Sequence, residues 1–127
     1  MRGLLDTSVF IADEQGRPLA IEQLPDEAAI SVVTLAELEL GVHMAAAEEV
    51  RAHRLRTFRA TQSAYVALPV DDAVASAFAE LVATARRAGR RPKVQDTWIA
   101  ATARAHSVAV FTQDSDFDDL GIEVVRV

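Results

Sequence analysis

Apolar and polar positions follow one another in blocks whose period changes along the chain. Residues 3–6, "GLLD", read as a short apolar strand that stops on a carboxylate. "AAISVV" (28–33) is β-branched and apolar and reads as a second strand. "TLAELELGVHMAA" then takes helical spacing, with Leu35, Leu38 and Val42 on one face. A second helix over roughly 46–60 sets Val50, Leu55 and Phe58 among arginines. "AYVALPV" (64–70) is a candidate short strand closed by Pro69. Asp71 or Asp72 is placed to cap a helix whose apolar positions are Val74, Phe78, Leu81 and Val82. Gly89 ends that helix and Pro92 marks the break. A further helix runs from about Asp96 to Ala105 and carries Ile99 and Ala103. "SVAVFT" (107–112) is the clearest strand, and "GIEVVRV" (121–127) is the last. Strand-like and helix-like segments alternate, which predicts an α/β fold with a mainly parallel sheet.

Composition narrows the class. A chain of 127 residues, half hydrophobic and a quarter charged, suits one globular domain over 1–127 with a real core. With no cysteine, disulfides and thiolate chemistry are excluded. Asp6 interrupts the opening apolar run before a signal sequence could form, and no stretch approaches the ~18 apolar residues of a membrane span. The expectation is a cytoplasmic protein with no membrane contact.

The net charge of −6 argues at first against a nucleic-acid partner, but setting five carboxylates aside in one site leaves the remainder at −1. Twelve of the thirteen basic residues are Arg, Lys93 being the only Lys. Two clusters stand out: Arg51, Arg54, Arg56 and Arg59, then Arg86, Arg87, Arg90, Arg91 and Lys93. The guanidinium fork suits phosphate; solvated helix faces account for such clusters equally well.

The carboxylates fall in a pattern. Asp6 ends strand one. Glu37 lies one turn into the helix after strand two. Asp114 and Asp116 follow "SVAVFT", and Asp96 begins the helix that leads into it. In an open α/β sheet, ligands sit beyond the carboxyl ends of the strands. A helix antiparallel to its strand starts at that same edge, so all five acids map there, where they would repel unless a cation intervened. Only oxygen donors are on offer, and His43, His53 and His106 share no metal-ligand spacing. Such a set favours Mg²⁺ or Mn²⁺ over Zn²⁺.

Each acid also has a structural explanation. "TLAE" (34–37) fits a capping box with Thr34 as N-cap and Glu37 reaching back to it. Asp96 suits a helix N-terminus, and Asp6, Asp114 and Asp116 suit turns. These readings do not account for five acids sharing one sheet edge. Asp71 and Asp72 are left as caps. Asp13, Glu14, Glu48, Glu49, Glu80, Asp118 and Asp119 are assigned to solvent. Phe10, Tyr65 and Trp98 are candidates for stacking on bases, with core packing as the simpler reading.

"LLDTSVFIA", "SVVTLAELELGV", "LPVDDAVASAFAEL", "VQDTWIAATARAH" and "VFTQDSDF" occur in an order and spacing that resembles the PIN-domain ribonucleases, and closely the VapC-type toxins of bacterial toxin–antitoxin pairs. The match spans nearly the whole chain and is weakest between about 46 and 63. The resemblance implies a three-layer α/β/α sandwich. It implies Asp6 and Asp96 as principal metal ligands, partly through water, with Asp114 and Asp116 completing the acidic pocket. Glu37 would position the attacking water or a ligand water. Thr112 would hydrogen-bond Asp6, with Ser8 a weaker supporting residue of the same kind and Thr7 assigned to the turn. It implies an endoribonuclease that hydrolyses RNA by metal-activated water to leave 5′-phosphate and 3′-OH ends. It also implies a homodimer held inactive by a VapB-like antitoxin.

Other strand-end aspartate enzymes fit less well. Haloacid-dehalogenase phosphatases need a second Asp where Ser8 stands. Receiver domains need an acidic pair near the first strand and a Lys late in the chain, whereas Asp6 stands alone and the only Lys, Lys93, reads as loop. The non-enzyme alternative is a PIN-like module that only binds RNA or protein; its expected signature is a lost carboxylate, and all five are present.

Overall fold

The computed structural model describes all 127 residues. Five short parallel strands form one sheet: β1 (Arg2–Leu5), β2 (Glu27–Ser31), β3 (Ala67–Leu68), β4 (Ala109–Thr112) and β5 (Val124–Arg126), in the order β3-β2-β1-β4-β5. Five helices cover it: α1 (Thr7–Glu14), α2 (Val32–Met44), α3 (Glu48–Ala64), α4 (Asp72–Arg87) and α5 (Val94–Ala105). This is the three-layer α/β/α arrangement with a parallel sheet.

Strand alternation builds the two cores. Leu4 and Val110 point to one face and pack with Val74, Leu81 and Ile99 of α4 and α5. Leu5 and Phe111 point to the other and pack with Phe10, Leu38 and Phe58 of α1, α2 and α3. Register pairs Leu4 with Val110 and Leu5 with Phe111, so a slip of one residue would exchange the cores. Gly3 pairs with Ala109 on β4, and a Cβ there would run into the Phe111 ring.

The chain runs outward from β1 through β2 to β3 and then returns to the other side of β1 for β4. The order therefore reverses between β1 and β4, the place where open α/β sheets take ligands. Asp6 and Thr112 stand at the carboxyl ends of those two strands.

Several boundaries differ from the sequence pattern, each for a local reason. Strand two ends at Ser31, whose hydroxyl accepts from the Val33 N–H at 3.1 Å, so α2 starts two residues before Thr34. The capping box is therefore not formed: Thr34 is buried inside the helix and Glu37 reaches elsewhere. α5 starts at Val94, which places Asp96 in its first turn. Strand pairing near 64–70 is reduced to Ala67–Leu68. The apolar pattern did not disclose α1, because "VFIA" carries no amphipathic period once both its faces are covered. The expected cap at Asp71 forms, its Oδ1 accepting from the Val74 N–H at 3.0 Å. No helix is long and apolar enough to cross a membrane.

Candidate active site

Asp6 does two jobs with one side chain. It leaves β1 in extended conformation and caps α1, its Oδ2 accepting from the Ser8 N–H at 3.3 Å. The same oxygen accepts from Thr112 Oγ1 at 2.9 Å. Ser8 Oγ lies 3.1 Å from Thr112 Oγ1 and accepts from the Gln113 N–H at 3.0 Å, while the Asp114 N–H donates to Thr112 Oγ1 at 3.0 Å. Asp6, Ser8 and Thr112 are all buried, and this network pins the end of β1 to the end of β4. Asp6 Oδ1 takes no part in it and can face a ligand.

Glu37 is half-buried on α2, held from the first residue of α1 by Thr7 Oγ1 at 2.7 Å. Thr7 Oγ1 also stands 3.0 Å from Thr34 Oγ1. A hydroxyl has one proton, and the charged, nearer carboxylate is the stronger claim on it. Thr7 is thus a site residue that the sequence reading assigned to the turn.

Asp96 is 9% exposed, and its Oδ2 is the one buried side-chain oxygen or nitrogen in the chain without a hydrogen-bond partner. Burial first, then the charges of Asp6, Asp116 and Glu37, push its carboxyl up to about 7, against a smaller pull from Lys93. Burial also raises Glu37, opposed by the Thr7 hydrogen bond and reinforced by Asp6 and Asp114. Asp114 stands nearer the surface and is raised by desolvation, Asp6 and Asp116. Asp116 is exposed and accepts from Lys93 Nζ at 2.9 Å, a contact that raises the Lys93 ammonium. The five acids therefore sense one another as a unit. Lys93, the only Lys, sits at their rim; its position three residues before Asp96 was the signal for it.

A sign follows for stability. The folded chain holds the Asp96 proton more tightly than the unfolded chain does, about 7 against 3.8. This stabilisation is complete below about pH 4 and is lost as pH rises through 7. In chelator, the melting temperature should fall between pH 5 and 8, and the Asp96→Asn variant should lack that component; thermal melts across the range check it.

The residues suit a hard cation by chemistry rather than by a ready-made cage. Donors are all carboxylate oxygens, one of them buried and unpartnered. No three of the acids stand close enough together to grip an ion by themselves. A small octahedral ion that keeps several waters needs only one or two direct carboxylates. Asp6 and Asp96 are the buried pair able to supply them, with Asp114 and Asp116 beside them.

Two arginines of the first cluster have structural employment. Arg51 donates to the Ala45 carbonyl at 2.9 Å and Arg54 to the Gly41 carbonyl at 2.8 Å, closing the end of α2. Phe10 packs edge-on to Tyr65 with centroids 5.3 Å apart, and Trp98 stacks on Phe78 at 3.7 Å, so none of the three candidate aromatics stands free.

The PIN domain family pattern matches residues 3–123. Ribonuclease VapC5 of Mycobacterium tuberculosis is 46% identical over 129 residues, covering 98% of this chain and 95% of the relative. Ribonuclease VapC4 of the same organism is 43% identical over 127 residues, covering 99% and 97%. The crystal structure of VapBC-5, a member of the VapBC family of toxin–antitoxin systems from M. tuberculosis, superposes with a TM-score of 0.91 at 43% identity, covering 99% of this chain and 98% of that one. With its acids gathered where β1 and β4 diverge, the chain belongs to the PIN-domain family, in its VapC-type branch.

Proposed function

We propose that this chain is the ribonuclease toxin of a toxin–antitoxin pair and that it cuts RNA internally by cation-dependent hydrolysis. The observation that carries the reading is the buried, unpartnered Asp96 oxygen among four other carboxylates at the β1–β4 switch point. Relatives matched end to end are ribonucleases, which supports RNA as substrate.

Asp6 and Asp96 would hold Mg²⁺ or Mn²⁺, with Asp114 and Asp116 holding a second ion or the water around the first. Such an ion supplies charge to the scissile phosphate and lowers the pKa of a water at the site. The chain's residues do the rest. Thr112 and Ser8 fix the Asp6 carboxylate in one rotamer. Thr7 aims Glu37, whose raised carboxyl pKa makes it a better proton acceptor for an attacking water. Water adds to phosphorus, the P–O3′ bond breaks and the departing oxygen takes a proton from solvent. The products are a 5′-phosphate and a 3′-OH.

The exposed apolar residues Leu40 and Met44 on α2 and Val50 on α3 support a protein partner. We assign them to a VapB-like antitoxin and to a second copy of this chain in a homodimer.

The test is incubation with total RNA, in Mg²⁺ and then in chelator, with sequencing of the ends. The reading expects cuts only with Mg²⁺ and 5′-phosphate ends; 2′,3′-cyclic phosphate ends would reject it. Thr7→Val should slow cleavage by about 10- to 100-fold, the range for losing a group that orients a site residue. It should cost about 1–2 kcal/mol, since Glu37 loses its partner. Single-turnover rates and urea melts check both.

A further inference from the structure

At the end of α4 lies a cavity of about 530 Å³ walled by Arg86, Arg90 and Arg91 around Gly89, with no acid in its lining. It adjoins a second of about 240 Å³ floored by Phe78, Val82 and Pro92. The local sequence builds this wall. Gly89 takes φ +73, and the Gly89 and Arg90 N–H groups donate back to the Arg86 and Ala85 carbonyls at 3.0 and 2.8 Å. This left-handed helix stop folds Arg90 and Arg91 back beside Arg86.

Three nearby arginines are paired. Arg90 donates one guanidinium N–H to the Asp119 carbonyl, Arg104 meets Glu80 and Arg126 meets Asp118. Arg86, Arg87 and Arg91 have no such partner, and of these Arg86 and Arg91 line the cavity. The end of the α4 dipole can explain a cation at Arg86. It does not explain Arg91, which lies past the helix and adds like charge to the same wall, in a chain of net charge −6. Val94 and Thr97 of the second cavity lie on the helical turn that carries Asp96, and Lys93, two residues past Arg91, donates to Asp116 at 2.9 Å.

We propose that this arginine-walled cavity holds the phosphate backbone of single-stranded RNA next to the cleavage point, with an unstacked base resting on the Phe78 floor. The inference rests on the ribonuclease reading and adds a substrate subsite to it. Guanidinium forks grip phosphate in pairs, and a half-buried aromatic floor tolerates any base. The acids alone would repel RNA; this wall supplies the opposite charge on the strand's path.

The test is fluorescence anisotropy of a 5′-labelled single-stranded RNA 20-mer across a KCl series, in an Asp96→Asn background that prevents turnover. Adding Arg86→Gln and Arg91→Gln should weaken binding by about tenfold or more. It should flatten the slope of log affinity against log salt by about 1.4, roughly 0.7 for each lost phosphate contact. Arg56→Gln with Arg59→Gln removes the same charge elsewhere and should leave the slope unchanged. Arg86→Lys with Arg91→Lys, which keeps charge and fold, should retain most of the slope and lose part of the affinity. If the Gln pair binds RNA like its parent, or the control pair weakens it equally, the subsite is wrong. That result leaves the ribonuclease reading standing as long as the parent cuts total RNA in Mg²⁺; a parent that neither cuts nor binds RNA ends both. Retained RNA binding with lost binding of a poly-glutamate peptide would assign the cavity to a protein partner and overturn the proposal.

Discussion

Asp96→Asn should abolish RNA cleavage and make the protein more stable. Losing one of the two buried acids proposed to hold the cation should cost at least about 10³-fold in rate, roughly 4 kcal/mol of transition-state stabilisation. In chelator at pH 8, the same change removes a buried charge that has no hydrogen-bond partner on Oδ2 and that Asp6, Asp116 and Glu37 all repel. Asn keeps a polar atom there and loses the charge, whose relief is worth about 1–3 kcal/mol, so the variant should melt several degrees higher. Asp6→Ala should lose as much activity with the opposite sign in stability. Its carboxylate caps α1 and receives Thr112, and a lost cap costs about 1 kcal/mol. Cleavage assays beside thermal melts of the two variants check the pair. An Asp96→Asn protein that cuts RNA at the parent rate in Mg²⁺ would remove Asp96 from the site.

Gly3→Ala should be the most damaging single methyl in the chain. The new Cβ would occupy the space of the Phe111 ring, and Phe111 is fully buried in a packed core. Overpacking of this kind costs typically 1–3 kcal/mol, and here about 3 or more, because β1 and β4 must part to admit it. The separation falls one residue before Thr112, so the hydrogen bond from Thr112 to Asp6 should weaken and cleavage should fall with stability. Phe111→Leu in the Gly3→Ala background should recover part of the loss. Urea melts of the four proteins give the coupling energy directly, and a coupling near zero would mean that the sheet absorbs the methyl elsewhere.

The parts of this molecule legible from its sequence are those that local chemistry decides. Asp71 caps α4 and Gly89 stops it, because a carboxylate can reach the Val74 N–H and a glycine can take positive φ without any distant partner. The acidic edge was legible for a topological reason: in a parallel sheet, residues just past strand ends share one edge whatever the strand order. What failed was local pattern overruled by a distant partner. "TLAE" has the form of a capping box, yet Ser31 turns the chain first and Thr7, thirty residues away, claims Glu37. Asp6 reads in sequence as a turn acid or a site residue, and the structure makes its carboxylate the cap of α1 while leaving Oδ1 free. α1 was missed because the turn that Asp6 caps begins inside an apolar run with no helical period. Arg51 and Arg54 could not be told from solvated arginines, since the carbonyls they close belong to the preceding helix.

The central claim is that the acids at the β1–β4 edge form a cation site tuned by proton competition. The most direct measurement is titration of Mn²⁺ into the protein at pH 6, 7 and 8, with free ion followed by electron paramagnetic resonance. With the Asp96 carboxyl at about 7, affinity should rise about tenfold from pH 6 to pH 8. In Asp96→Asn it should be weaker by at least about tenfold and flatter with pH. Mn²⁺ binding that is equally tight in parent and variant, with the same pH profile, would contradict the account.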